Sequence, residues 1–121
     1  MQDYHQLEIW NCAMDFTVAV YKFAAGLPQE EKYNLASQLR RAASSVPLNI
    51  SEGCGTASKT DFCRFLSYAY RSLKEVVASV ELCKRLYPTL QQNQLDSLID
   101  EGNRISRMTY KLIQAVSEKE F

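Results

Sequence analysis

Four stretches of this chain repeat an apolar side chain every three or four residues, and that spacing restricts the possible folds more than any other feature. An α-helix turns once per 3.6 residues, so such a series gathers its members into one stripe that must be covered. Leu7, Trp10, Met14, Val18, Tyr21 and Ala25 mark the stripe of a first helix, which Gly26 and Pro28 stop. Leu35, Leu39, Ala42, Val46 and Ile50 mark a second, opened by the acids Glu30 and Glu31 and closed by Gly53 and Gly55. Pro47 lies inside it and lacks the amide that would donate to the Ala43 carbonyl, so a kink or a broken last turn is expected. A third opens at Ser58 with Asp61 three residues on, a capping-box-like pair, and carries Phe62, Phe65, Leu66, Ala69, Leu73, Val76, Val80, Cys83 and Leu86 up to Tyr87-Pro88. Leu95, Leu98, Gly102, Ile105, Thr109, Leu112 and Val116 define the fourth, where Gly102 at a seam position predicts a close helix crossing.

The expected helices cover 6–25, 31–53, 59–87 and 93–117 of a single domain, 1–121. No segment alternates with period two long enough to be a strand, and short connections make sequential helices antiparallel neighbours. The predicted fold is all-α: an antiparallel, up-down-up-down four-helix bundle.

Little catalytic chemistry fits this chain. His5 is the only histidine and precedes the first helix, so paired Glu-x-x-His ligands for two metals are excluded. Cys12, Cys54, Cys63 and Cys83 contain no C-x-x-C spacing, which argues against zinc and for free, mostly buried thiols in a reducing cytoplasm. No basic and apolar leader opens the chain and no run reaches the length of a membrane span. Gly53-Cys54-Gly55-Thr56-Ala57-Ser58-Lys59-Thr60 resembles a phosphate-binding loop, but it joins two helices where that loop follows a strand. A glycine stop followed by a serine cap accounts for the same residues. No catalytic residue, metal or cofactor is therefore assigned.

Formal charge is zero, with 14 basic against 14 acidic residues, but the charges are unevenly spread. Residues 1–31 hold Asp3, Glu8, Asp15, Glu30 and Glu31 against Lys22, a net −4. Residues 32–74 hold Lys32, Arg40, Arg41, Lys59, Arg64, Arg71 and Lys74 against Glu52 and Asp61, a net +5. On the third helix Arg64, Ser67, Arg71 and Lys74 share a face with Tyr70 beside it; Arg104, Arg107 and Lys111 form a shorter stripe on the fourth. Basic stripes with interleaved aromatics suit phosphate contact and base stacking. The sequence by itself favours the plainer reading, a solvated face stitched by the i, i+4 pairs Arg71–Glu75, Glu81–Arg85 and Asp100–Arg104.

The segment Gln38-Leu39-Arg40-Arg41-Ala42-Ala43-Ser44-Ser45-Val46-Pro47-Leu48-Asn49-Ile50-Ser51-Glu52-Gly53, with Phe62-Cys63-Arg64-Phe65-Leu66 and Ser72-Leu73-Lys74-Glu75, closely resembles the bacterial family of 23S rRNA intervening-sequence proteins. The resemblance begins at Leu7-x-x-Trp10 and spans the chain; Arg71 stands where the family usually has a small residue before the serine of helix three. It implies a non-enzymatic antiparallel bundle that assembles as a homo-oligomer, typically a pentamer. Relatives among retroelement accessory proteins bind nucleic acid and a reverse transcriptase, so RNA, DNA or a nucleic-acid-processing protein is the implied partner. The alternative is a protein-interaction scaffold without nucleic-acid affinity. Candidate contacts are Arg40, Arg41, Arg64, Arg71, Lys74, Arg104, Arg107 and Lys111. Ser45, Asn49 and Glu52, on one side of helix two, are expected to form a polar network serving the carbonyls that Pro47 frees.

Overall fold

The computed structural model describes residues 2–118; Met1 and residues 119–121 of the expected domain lie outside them. Its α-helices, among the described residues, are α1 (Glu8–Ala25), α2 (Leu35–Cys54), α3 (Lys59–Leu86) and α4 (Gln92–Ser117), with 3-10 turns at Tyr4–Gln6 and Gln29–Glu31. No strand occurs among the described residues. Packing runs α1 on α2, α2 on α3, α3 on α4 and α4 back on α1. Facing residues run in opposite order along each neighbouring pair: Thr17 meets Ala43 and Ala24 lies by Ala36, Gln38 meets Glu75 and Ser45 meets Ser72, Val77 meets Gly102 and Lys84 meets Asp96, and Cys12 meets Arg104 while Lys22 lies by Gln94. The all-α, up-down-up-down bundle is thus the observed fold.

The core joins Phe16, Val20, Leu39, Val46, Ile50, Leu66, Leu73, Val76, Val80, Leu95 and Ile105. For α2, α3 and α4 the apolar spacing identifies most of these residues. For α1 it selects the wrong face. Met14, Val18 and Tyr21 are 42%, 55% and 44% exposed, and the buried row is Ile9, Ala13, Phe16, Val20 and Phe23. Helix α1 carries two apolar rows at helical spacing, and only packing against α2 and α4 distinguishes them.

Helix α2 starts at Leu35, four residues later than the spacing predicts. Glu31 lies in the preceding 3-10 turn, and its carboxylate accepts from Asn34 Nδ2 and from the Leu35 amide, so it caps α2 from outside the helix. At the other end α2 runs unbroken through Pro47 to Cys54. The Ala43 carbonyl that Pro47 leaves without a donor receives the Thr17 hydroxyl of α1 at 3.0 Å, a hydroxyl that also lies 2.7 Å from the Ala13 carbonyl. The side chain that serves Pro47 therefore comes from α1, a neighbour that α2's own sequence does not reveal.

Two glycines set the distances between helices. A Cβ on Gly102 would lie 2.6 Å from Val77 Cγ2 of α3 and 3.2 Å from Phe16 Cζ of α1, so the close crossing anticipated there involves both neighbours. A Cβ on Gly53 would lie 3.0 Å from Phe62 and Phe65 at the start of α3. Ser58 caps that helix by accepting from the Asp61 amide at 3.2 Å, in agreement with the glycine-stop, serine-cap reading of the Gly53–Thr60 stretch.

Candidate nucleic-acid interface

Along the outer seam of α3 and α4 the antiparallel register sets Tyr70 opposite Tyr110, with ring centroids 6.2 Å apart and planes inclined by 47°. Tyr70 and Lys74 from α3 face Ser106, Arg107, Tyr110, Lys111 and Gln114 from α4 across a hollow of about 360 Å³. The α4 members recur at three and four residues, so one face of that helix supplies them all. Lys74 Nζ lies 5.3 Å over the Tyr70 ring, a cation–π contact. No acid lines the hollow, and Lys74, Arg107 and Lys111 enter no ion pair among the described residues. Three cations thus surround an aromatic pair of which Tyr110 is 52% exposed. Such a site can hold an anion electrostatically and offer a ring face to a planar group.

The other candidate contacts lie elsewhere. Arg71 is exposed, with its guanidinium 6.0 Å over the Tyr68 ring, and Arg64 lies 5.3 Å over Phe65 and pairs with Asp61 at 2.9 Å. Arg41 is exposed on α2, whereas Arg40 reaches back to the Lys32 carbonyl at 3.5 Å. Arg104 turns away from Arg107 and Lys111 into the α1–α4 seam. There it donates to Glu101 at 2.6 Å and to Cys12 Sγ and Met108 Sδ at 3.4 Å, in a crevice of about 520 Å³ shared with Asp15, Phe16, Lys22 and Leu98. Glu101 first, then Cys12, pushes the already high Arg104 pKa upward. The stripe expected from Arg104, Arg107 and Lys111 is therefore divided between two seams. None of the i, i+4 pairs of the solvated-face reading forms: Glu75 accepts from Gln38 Nε2 at 3.4 Å, and Arg104 pairs three residues back with Glu101.

The expected polar network is partly present. Ser45 Oγ lies 2.5 Å from Ser72 Oγ and 2.9 Å from the Ala42 carbonyl, and Asn49 Nδ2 donates to the Ser45 carbonyl at 2.7 Å. Two segments that carry the family resemblance thus meet across the α2–α3 seam. Glu52 is exposed and its side chain makes no hydrogen bond among the described residues, so it stands outside the network. Sequence reading also missed Tyr110, Gln114 and Thr17. The i+3 and i+7 spacing from Arg107 could have suggested Tyr110 and Gln114; nothing local to Thr17 indicates that it faces Pro47.

Away from the hollow, the titratable groups serve the scaffold. The Tyr87 hydroxyl at the end of α3 donates to Glu31, which holds that carboxyl below its usual value and pushes the Tyr87 pKa up to about 12. Cys54 and Cys83 are buried, and burial pushes both thiols up, away from nucleophilic character. No group of three or more His, Cys, Asp or Glu side chains among the described residues could hold a metal ion. No helix there is long and apolar enough to cross a membrane.

The fold and the hollow together define a class: a small antiparallel four-helix bundle with a basic, tyrosine-lined outer seam. Its family is that of the 23S rRNA-intervening sequence proteins, to which the chain belongs, for the family's model matches residues 5–111. A crystal structure of a protein of unknown function from the S23 ribosomal protein family of Bacteroides thetaiotaomicron is similar in fold. It has a TM-score of 0.77 and 22% identity and covers 87% of this chain and 97% of its own. A search of curated protein sequences finds no match.

Proposed function

We propose that this chain is a non-enzymatic, homo-oligomeric binding protein that holds nucleic acid at the α3–α4 hollow. The observation that carries the reading is the convergence of Lys74, Arg107 and Lys111, without an acid among the described residues, around Tyr70 and Tyr110. A neutral chain can bind a polyanion when its cations are gathered and its acids are kept apart, because screening over roughly 8 Å at physiological ionic strength makes the local balance decisive. The family's name makes RNA the first probe to try. In a fluorescence anisotropy titration with a labelled RNA oligonucleotide, binding should be present at low salt and weaken steeply as salt is added. Absence of binding at low salt would refute the reading and leave the protein-interaction scaffold.

A separate observation supports self-association. Met14, Val18 and Tyr21 leave an apolar row on the outside of α1, a surface that an isolated bundle has no use for. A second copy of the chain is the proposed cover, and closed symmetry would then repeat the basic hollow around the assembly. Light scattering should give several times the 13.8 kDa chain mass, and V18E should lower it. A monomer at micromolar concentration would overturn this part.

A further inference from the structure

We infer that the α3–α4 hollow takes single-stranded nucleic acid, one base stacking on Tyr110 while Lys74, Arg107 and Lys111 hold the adjoining phosphates; this rests on the nucleic-acid reading above. The two tyrosines have different roles. Tyr70 is half-buried and carries the Lys74 ammonium 5.3 Å from its ring centre, so that face is already covered. Tyr110 is 52% exposed, and its one aromatic neighbour among the described residues, Tyr70, is inclined at 47°, which leaves it able to receive a planar group. Arg107 and Lys111 lie three residues before and one after Tyr110 on α4, so charge flanks the ring along the helix. A strand laid along the seam would meet phosphate-binding cations on both sides of one stacking surface.

Shape excludes the duplex. In a double helix every base is covered above and below by its neighbours, so a ring set between two protein helices can reach only the phosphates. An unpaired base can turn out of the strand and lie on the ring, and the hollow of about 360 Å³ falls within the range of small-ligand sites, roughly 300 to 1,000 Å³. Gln114, which is exposed, adds a polar side chain at the edge. Stacking of this kind tolerates any base, because every base presents a π-face.

The test compares three probes with equal numbers of phosphates: a single-stranded oligonucleotide, a short duplex, and an abasic strand that keeps the sugar-phosphate chain without bases. Anisotropy titrations at low salt should rank the single strand tightest. Tyr110→Leu should weaken it by roughly tenfold, the expectation for losing one stacked base, while Tyr110→Phe keeps the ring and the affinity. Neither substitution should change binding of the abasic strand, which also controls for misfolding. If the abasic strand or the duplex binds as tightly as the single strand, or Tyr110→Leu binds it unchanged, stacking is overturned while the electrostatic site survives. If no probe binds the wild-type protein, the underlying reading fails with it.

Discussion

The α3–α4 and α1–α4 seams are both grooves between antiparallel helices, both lie along α4, and both receive cations from that helix. Yet they differ in what those cations can do. In the α1–α4 seam Arg104 is held by Glu101, Asp15 lies opposite, and Phe16 and Leu98 supply apolar walls. Across the α3–α4 seam Lys74, Arg107 and Lys111 surround two tyrosines with no acid among the described residues. Counting basic residues along a helix therefore says little about a site; an acid within reach, as Glu101 is on Arg104's own helix, decides whether a cation is spent within the protein or left for a ligand.

The largest effect should come where the seams meet. Gly102→Val would force side-chain atoms into the space held by Val77 and Phe16 and open both grooves at once, with a loss of about 3 kcal/mol in chemical denaturation. Gly26→Val, at a solvent-facing helix end, should cost far less, and equal losses would remove the claim that Gly102 sets the spacing. Next comes the charge contrast. Arg107→Glu with Lys111→Glu should nearly abolish oligonucleotide binding and flatten its salt dependence by about 0.7 for each single-strand phosphate that is no longer neutralised, whereas Arg104→Gln should leave both unchanged. Equal losses would mean that the two seams are not functionally distinct.

A smaller effect concerns the scaffold that both seams share. Thr17→Val leaves the Ala43 carbonyl without its hydroxyl donor beside Pro47, and thermal unfolding should reveal a loss of about 1–3 kcal/mol. The double variant Thr17→Val with Pro47→Ala should recover part of it, because residue 47 then supplies an amide of its own; no recovery would break the link between the two residues.

The Glu31–Tyr87 contact should add stability at intermediate pH that is lost at both the acid and the alkaline end. Its carboxyl titrates lower in the folded state than when unfolded, so that contribution is present above about pH 4.5 and fades as pH falls through the lowered folded value. Tyr87 titrates higher when folded, so its contribution is present below pH 10 and is lost as pH rises toward about 12. Tyr87→Phe should flatten both limbs of a plot of melting temperature against pH, with little change in oligonucleotide binding.

Most of this architecture was legible along the chain because helical periodicity is a local property. Leu39, Val46, Leu73, Val80, Leu95 and Ile105 declare their burial through spacing alone, and Gly53, Gly55 and Ser58 mark a helix junction that the structure reproduces. The basic excess was equally visible. Helix α1 is where periodicity ceases to decide. It has two apolar rows, and choosing Ile9, Ala13, Phe16 and Val20 for the core requires knowing where α2 and α4 lie. The same holds for the candidate site. Arg107 and Lys111 could be recognised as neighbours on one helix, but the meeting of Tyr70 with Tyr110, the contact of Arg104 with Cys12 and the reach of Thr17 to Ala43 depend on register between helices. Sequence by itself determined which residues could form each face, since 3.6 residues per turn follow from the backbone. Only the tertiary structure decided which faces meet, because pairing depends on the shape and charge of a neighbour far away along the chain.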